Sequence, residues 1–311
     1  MNSAAAAGLW ERQQINWPAV RERYEALKRV RTRYFVIDGC TVGVQFNPDR
    51  IRSSAARTDA RSLAERPCFL CDRQLPPEQE RLPFGAKYWL MVNPYPIFPR
   101  HFTLPDRTHR PQRITGRYGD MLEMARCLER FVLFYNGPRC GASAPDHAHF
   151  QAGSKGFLPL ETAWRSSAEP IGAGTDTVRT YAFRGAGRNA FIWESSTVAA
   201  ARTFFDRLCG LLEVKPGDDE PMLNLLVWLE NDRLITCLFP RSLHRPSCYY
   251  ASGDEHLLLS PASVDMGGML ILPAEADFLK IKEADIRQMF GQVGISDEKF
   301  AFYRERLRKN E

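Results

Sequence analysis

The stretch from Ile114 to Gln151 changes its hydrophobic period along its length, and this change restricts the folds that the chain can adopt. Its first part repeats apolar residues at the spacing of one helical face, namely Tyr118, Met121, Leu122, Ala125 and Leu128. That spacing predicts an amphipathic helix within 114–130 that packs on a core. Residues 131–135 are wholly apolar and 147–151 alternate, so both segments predict strands. Short strands beside amphipathic helices are typical of the α+β class.

Similar patterns occur along the rest of the chain. Trp17, Val20, Tyr24 and Leu27 predict an N-terminal helix, followed by a hairpin that turns at Asp38 and Gly39. Further strands are predicted near 87–93, 101–104, 222–230 and 233–239, and further helices near 198–212 and from Ala274 onward. Residues 47–66 predict a surface loop, and the polar, Gly-rich residues 165–190 predict a connecting stretch.

Composition limits the class of protein. The 311 residues, 44% of them hydrophobic, suffice for one large domain or two moderate ones. The apolar runs are far shorter than the roughly 20 residues that cross a bilayer, so a membrane is not expected as a partner. The first residues lack the basic and apolar segments of a secretory signal, so the protein is expected in the cytoplasm. The net charge of +5 is spread along the chain, so nucleic acid is not an expected partner.

Two of the eight cysteines, Cys68 and Cys71, are closely spaced. A Cys-x-x-Cys pair is a half-site for zinc, and His109 and His147 follow it at distances that allow a tetrahedral Cys2His2 site. A redox dithiol is the rival interpretation, and two cysteines without a ligand are a third. A disulfide framework is not expected in a chain without an export signal.

The run from Asp146 to Gln151 carries the chemistry. Alternation places His147, His149 and Gln151 on one face of the predicted strand, beside a loop that contains Gly141 and Ser143. Neutral imidazole is a nucleophile, whereas an amide and backbone N–H groups donate to phosphate oxygens. These are the groups that transfer of a phosphoryl group needs. The alternative is that the histidines are core residues with satisfied hydrogen bonds.

The order of several short motifs resembles the histidine-triad superfamily. The motifs are Cys68-Phe69-Leu70-Cys71, Asn93-Pro94-Tyr95-Pro96, His101 and His109 around Pro105, Asn136-Gly137 and His147-Ala148-His149-Phe150-Gln151. The final Gln in place of a third His resembles the transferase branch, which contains galactose-1-phosphate uridylyltransferase, diadenosine-tetraphosphate phosphorylase and the GDP-hexose phosphorylases. The spacers Ala148 and Phe150 depart from the uridylyltransferase pattern His-Pro-His-Gly-Gln.

The resemblance implies a fold and a set of roles. It implies a HIT-like antiparallel sheet with helices in two related halves, a catalytic half at 1–165 and a degenerate half at 166–311, and assembly as a homodimer. His149 would be the nucleophile, Gln151 would steady the intermediate, and the remaining groups would bind substrate. These substrate-binding residues are Asn93 near the ribose, Asn136, Gly141 and Ser143 at the phosphate, and Arg50 or Arg52 at the nucleotide. Structural zinc would be held by Cys68, Cys71, His109 and His147.

The implied activity is nucleotidyl transfer or phosphorolysis through a nucleotidyl-His149 intermediate. The donor would be a nucleotide-sugar or a dinucleoside polyphosphate, and the acceptor phosphate or a sugar phosphate. The alternatives are a nucleotide hydrolase and a zinc-stabilised nucleotide-binding module without turnover.

Other histidines have weaker claims to function. We interpret His101 as a packed residue at a strand end and His256 as a surface residue. His244, with Arg241 and Arg245, would either close a phosphate pocket or cap the second half. The pattern Pro-x-x-x-His-Arg-Pro occurs at 105–111 and again at 240–246, which is a weak hint of duplication.

Overall fold

The computed structural model describes residues 1–51 and 59–309. Its helices are α1 Ser3–Asn16, α2 Pro18–Leu27, α3 Ala60–Glu65, α4 Tyr118–Cys127, α5 Pro159–Ala163, α6 Val198–Leu211, α7 Ser247–Tyr250, α8 Ser263–Met266, α9 Glu275–Lys280, α10 Glu283–Val293 and α11 Asp297–Lys309. Its strands are β1 Arg31–Ile37, β2 Cys40–Phe46, β3 Arg81–Phe84, β4 Tyr88–Val92, β5 His101–Pro105, β6 Phe131–Asn136, β7 His149–Ser154, β8 Ala168–Pro170, β9 Val178–Gly185, β10 Arg188–Ser195, β11 Leu223–Glu230, β12 Arg233–Pro240 and β13 Met269–Leu272.

A large antiparallel sheet organises the molecule. In the described residues it has ten strands in the order β3-β4-β5-β7-β6-β11-β12-β10-β9-β8. Its first five strands come from the first half of the chain and its last five from the second. Each half has the same order, in which the fifth strand along the chain inserts between the third and the fourth. The halves meet where β6 pairs with β11.

Both faces of this sheet are covered. Alternate residues of the strands enter two separate hydrophobic clusters, as the two-residue period requires. Helices α1, α2, α4, α6 and α11 pack on one face. On the other face lie α8, α9, α10 and a smaller sheet in the order β1-β2-β13, in which β13 runs parallel to β2. Each cluster contains residues from both halves of the chain.

Most predicted elements are present. The hairpin at Asp38 and Gly39 has positive φ angles of 50° and 72°, as a type I′ turn needs. The strands predicted near 87–93, 101–104, 222–230 and 233–239 correspond to β4, β5, β11 and β12, and the helix near 198–212 to α6. The charged C-terminal stretch is helical. No helix in the described part of the chain is long and apolar enough to cross a membrane.

Other expectations were wrong. The stretch 165–190 contains β8 and β9 and the start of β10, because cross-strand pairing orders polar residues that show no clear alternation. The predicted loop at 47–66 contains helix α3, which Asp59 caps by accepting a hydrogen bond from the Ser62 N–H at 3.0 Å. The N-terminal region has two helices, separated at Trp17 by Pro18. Strand β7 begins at His149, so His147 lies before the strand and does not share its face.

Candidate functional site

His149 lies at the start of β7, which pairs with β5 on one side and β6 on the other. Its Nδ1 is 2.8 Å from the carbonyl oxygen of His147, so Nδ1 carries the proton and donates it to that oxygen. The other ring nitrogen, Nε2, remains for the cavity that His149 lines. Burial lowers the pKa of His149 to about 4. The ring is therefore neutral near pH 7, with a defined tautomer and an available lone pair.

Gln112 holds the backbone around His149. Its Oε1 accepts from the His149 N–H at 2.8 Å, and its Nε2 donates to the carbonyls of His149 and Asn136, each at 3.0 Å. The side chain is 1% exposed. One buried carboxamide therefore ties the start of β7 to the end of β6.

Gln151 shares the cavity with His149, and its carboxamide has a fixed orientation. The Ile97 N–H donates to Nδ1 of His101 at 3.3 Å, which leaves the proton on Nε2 of His101. That Nε2–H donates to Oε1 of Gln151 at 3.0 Å, and Nδ2 of Asn93 lies 3.4 Å from the same oxygen. With Oε1 engaged, the NH2 group of Gln151 is left to donate to a ligand.

A cavity of about 800 Å³ opens beside these groups. This volume is near the upper end of the roughly 300–1,000 Å³ that ligand pockets occupy. Its aromatic lining includes Trp17, Phe69, Tyr95 and Phe134. Its polar lining includes Arg23, Arg50, Arg66, Asn93, Asn136, Ser143 and Gln151.

Charge in the cavity favours an anion. Among the described residues three arginines line it, and burial lowers the pKa of Arg50 only to about 10, so this guanidinium stays cationic. Asp265 is the one carboxylate among the described lining residues. Its oxygens already accept from the N–H groups of Ala262 and Ile271, at 2.8 and 3.1 Å. Cationic and amide donors thus outnumber acceptors around the space beside His149.

Gly141 brings the second half of the chain into the site. It has φ 91°, and a Cβ at this position would lie 2.5 Å from the Cβ of Ala262. Only glycine allows both this backbone conformation and this close approach. The loop between β6 and β7 therefore packs directly on the segment that leads into α8, and Ala262, Val264 and Asp265 complete the cavity wall.

Cys68, Cys71, His109 and His147 form a compact cluster next to the cavity, with all four possible ligand atoms within 4.8 Å of one another. Nδ1 of His147 is 3.3 Å from Sγ of Cys68 and 3.5 Å from Sγ of Cys71, and Nδ1 of His109 is 3.3 Å from Sγ of Cys71. Tetrahedral zinc bonds of about 2.0 Å to nitrogen and 2.3 Å to sulfur place such atoms about 3.5 Å apart.

The surroundings of the cluster also fit a metal. Nε2 of His147 donates to the carbonyl oxygen of Asp106 at 2.8 Å, which directs the Nδ1 lone pair toward the sulfurs. A Cys2His2 donor set of this size fits zinc. The four residues that the sequence singled out as ligands are therefore together and suitably oriented.

The structure also brings the other candidate residues together. His149, Gln151, Asn93, Asn136, Gly141, Ser143 and Arg50 all line the one cavity. Arg52 lies outside the described residues. Sequence reasoning did not single out Gln112, Arg23, Arg66 or Asp265 for the site, and it gave His101 only a packing role. No local pattern marks these residues, because their partners are distant in the chain.

Arg241 has an architectural role, and His244 is not among the described residues that line the cavity. The Arg241 guanidinium is buried and donates to the carbonyls of Val293, Pro261, Leu243 and His244 at 3.0 to 3.1 Å. Of the two possibilities for this segment, the contacts support capping of the second half.

The repeated Pro-x-x-x-His-Arg-Pro pattern follows β5 in one half and β12 in the other. These strands are not equivalent in the sheet order, so the pattern is not a trace of duplication.

Comparison with solved structures supports the fold assignment. The structure of yeast Ap4A phosphorylase Apa2 is similar to 89% of this chain over 94% of its own length, with a TM-score of 0.57 and 17% sequence identity. Its complex with Ap4A is similar to 90% of this chain over 97% of its own length, with a TM-score of 0.54 and 18% identity. The chain has a mixed α+β, HIT-like fold similar to that of these structures. The fold that the sequence motifs predicted is thus confirmed.

Sequence comparison is less informative. Residues 9–154 match the family described as a domain of unknown function (DUF4922). This match covers the run from His147 to Gln151 and all four cysteine and histidine residues of the cluster. None of the curated proteins matches the chain.

Proposed function

We propose that this protein is a nucleotidyltransferase that forms a covalent nucleotidyl intermediate on Nε2 of His149. The observation that carries this proposal is the neutral ring of His149, with its Nδ1–H held by a carbonyl and its Nε2 left for a cavity rich in donors. A buried structural histidine would have both ring nitrogens satisfied by the protein.

The first step breaks one phosphoanhydride bond. Nε2 of His149 attacks the α-phosphorus of the donor, a nitrogen–phosphorus bond forms, and the leaving phosphate takes the electron pair of the broken bond. The ring becomes cationic, and its Nδ1–H then makes a charge-assisted hydrogen bond to the His147 carbonyl. The NH2 group of Gln151 can donate to a non-bridging oxygen whose charge rises in the transition state.

The second step regenerates the enzyme. An oxygen of an acceptor phosphate attacks the same phosphorus, and the electron pair of the nitrogen–phosphorus bond returns to Nε2 of His149. Arg23, Arg50 and Arg66 provide cationic groups in the cavity for the leaving and attacking phosphates. The cavity is large enough for both a nucleoside monophosphate and its partner group.

A dinucleoside polyphosphate is the first donor to test, and inorganic phosphate the first acceptor. Support comes from the fold shared with yeast Ap4A phosphorylase. The similarity to the structure of that enzyme with Ap4A extends over 97% of the yeast chain. Nucleotide-sugars share the same phosphoanhydride and are the second donor class.

Zinc would be held by Cys68, Cys71, His109 and His147 and would supply structural rigidity. His147 connects this cluster to the nucleophile, because its ring belongs to the cluster and its backbone carbonyl orients His149. We therefore propose that the cluster positions the reactive ring without taking part in phosphoryl transfer.

The decisive experiment is to trap the intermediate. The protein is incubated without acceptor with α-32P-labelled Ap4A and with labelled UDP-, GDP- and ADP-sugars, and the protein-bound label is tested for acid lability and alkali stability. We expect a label of this kind with one donor class, its discharge by phosphate or a sugar phosphate, and its absence in His149→Ala. Turnover by His149→Ala would overturn the proposal. Rapid discharge by water alone would favour a hydrolase, and nucleotide binding without any label a non-catalytic module.

A further inference from the structure

The carboxamide of Asn136 faces the cavity from the end of β6, and its oxygen is already saturated. Oδ1 accepts from the Ser263 N–H at 2.8 Å and lies 3.2 Å from Nδ2 of Asn224. Oγ of Ser263 is 2.7 Å from the same Oδ1. The side chain is 6% exposed and lines the cavity. The NH2 group of Asn136 is therefore the part left for a ligand.

The orientation of this carboxamide is not arbitrary. A backbone N–H can only donate, so the atom of Asn136 that faces the Ser263 N–H must be the oxygen. Asn224 is fixed in the same way, because the Arg241 guanidinium, which can only donate, contacts Oδ1 of Asn224. Nδ2 of Asn224 then faces Oδ1 of Asn136 and the carbonyl of Cys140, the latter at 2.8 Å.

All the fixing groups come from the second half of the chain. Asn224 lies on β11 directly opposite Asn136 on β6, at the one ladder that joins the two halves of the described sheet. Asn224 and Ser263 are fully buried, and Arg241 is 4% exposed. A buried Arg–Asn–Asn chain at this position costs desolvation of several polar groups, which a purely apolar ladder would avoid.

We infer that Arg241, Asn224 and Ser263 form a relay from the second half of the chain that holds the NH2 group of Asn136 toward a phosphate oxygen of the bound nucleotide. Asn224 and Ser263 are positioning residues, and they act through Asn136. This inference rests on the proposed function, because it takes the ligand to be a nucleoside phosphate. It gives the half without a His-x-His-x-Gln run an indirect part in phosphate recognition, through Asn136.

Asn224→Asp tests the relay without removing the contact to Arg241. The new carboxylate still pairs with the Arg241 guanidinium. Its second oxygen, however, replaces the Asn224 NH2 group and faces Oδ1 of Asn136, so that two acceptors meet. We expect repulsion between this acceptor and Oδ1 of Asn136 to displace the Asn136 carboxamide from its present position, although the Ser263 N–H still requires an oxygen on its side. Thr236→Val is the matched control, since Thr236 is fully buried on β12 and its hydroxyl hydrogen-bonds that of Tyr118 at 2.7 Å.

The first readout needs no nucleotide. The side-chain NH2 resonance of Asn136, assigned by its loss in Asn136→Ala, is followed in protein with 15N-labelled asparagine. We expect it to move in Asn224→Asp and to stay in Thr236→Val. An unmoved resonance in Asn224→Asp would overturn the relay whatever the protein binds.

The second readout is a double-mutant cycle on binding. Affinities for AMP, GMP, CMP and UMP are compared with those for the matching nucleosides in the unmodified chain, Asn136→Ala, Asn224→Asp and the double variant. We expect each single variant to weaken binding of the phosphate form by about tenfold or more, with no further loss in the double variant. Additive losses would overturn the relay. A chain that binds no monophosphate better than its nucleoside would instead overturn the proposed function.

Discussion

His101 is enclosed by protein on all sides, although imidazole titrates near pH 6.5 in the unfolded chain. Burial, and then the charge of Arg50, lower the pKa of His101 to about 3. Between these two pKa values the unfolded chain binds a proton that the folded chain does not. The contribution of His101 to the free energy of unfolding is therefore complete above about pH 6.5 and is lost as the pH falls toward 3.

His101→Gln should reduce this sensitivity to acid. A glutamine amide can accept from the Ile97 N–H and donate to Gln151, but it does not titrate. We expect the unmodified protein to lose about 1.5 kcal/mol more free energy of unfolding than His101→Gln between pH 6.5 and pH 5, measured by urea unfolding. His256→Gln, at a half-buried site outside the cavity, is the control. An equal loss of free energy of unfolding in the unmodified protein and in His101→Gln would contradict a lowered pKa for His101.

At the level of residues, local motifs singled out the groups that we propose to carry chemistry and missed those that orient them. His149, Gln151, Asn136 and the four cluster residues stand in such motifs, and the structure brings them to one cavity and one neighbouring cluster. Asn224, Ser263 and Gln112 orient these groups across distances that only the folded sheet brings together. Their own sequence neighbourhoods contain no pattern that distinguishes them from ordinary polar residues.

The candidate metal cluster joins two loops, one with Cys68 and Cys71 and one with His109, to His147 just before β7. Loss of one thiolate should therefore destabilise the fold before it alters chemistry. We expect about one zinc per chain by metal analysis, and a melting temperature lower by about 5 °C or more in Cys68→Ser. Cys127→Ser on α4 is the control, because Cys127 lies outside the cluster. Protein purified without chelator that contains no metal would contradict the site.

Gln112, in the loop before α4, contacts the backbone of His149, and Gln13 makes similar contacts elsewhere. Comparing variants of the two residues tests whether Gln112 supports the proposed reaction at His149. Both are buried, and both bridge backbone groups through their carboxamides, Gln112 at His149 and Gln13 at Glu78 and Glu80. Replacement by Leu leaves buried backbone groups unpaired and should cost about 3 kcal/mol of unfolding free energy in each case.

The two variants should differ in chemistry. In Gln112→Leu the backbone of His149 loses two hydrogen bonds to the Gln112 carboxamide. The rate at which a donor labels His149 should therefore fall by about tenfold or more, at a temperature where the variant is folded. Gln13→Leu should keep its labelling rate. Equal rates in both variants, measured by quenched-flow labelling, would show that Gln112 serves stability alone.

At the level of elements, amphipathic periodicity predicted α4, α6, β11 and β12 well. It failed for β8 and β9, where Gly and charged residues interrupt the alternation and where pairing with β10 supplies the order. It also placed His147 on a strand that begins only at His149. The Cys68 and Cys71 contacts draw this residue away from the sheet, and spacing alone cannot show that.

The whole molecule combines two halves with equal strand order into one structural core. The boundary at residue 165 separates the repeats of the sheet, yet both hydrophobic clusters contain residues from each side of it. Strand β13, from the second half, pairs with β2, from the first. We therefore expect the two halves to unfold together. The predicted boundary at residue 165 would then separate two structural repeats that do not fold independently.

Phe191→Ala tests this cooperativity from the second half. Phe191 on β10 is fully buried in the cluster that also contains Phe102 and Phe150 of the first half, and its removal should cost about 3–5 kcal/mol. In one cooperative unit, amide hydrogen exchange of β5 should speed up as much as that of β10, because both exchange through the same global opening. Val214→Ala, at an exposed position, should alter neither strand. If exchange rose in β10 while β5 kept its protection, the two halves would be separate folding units, and the site they share would be assembled by docking.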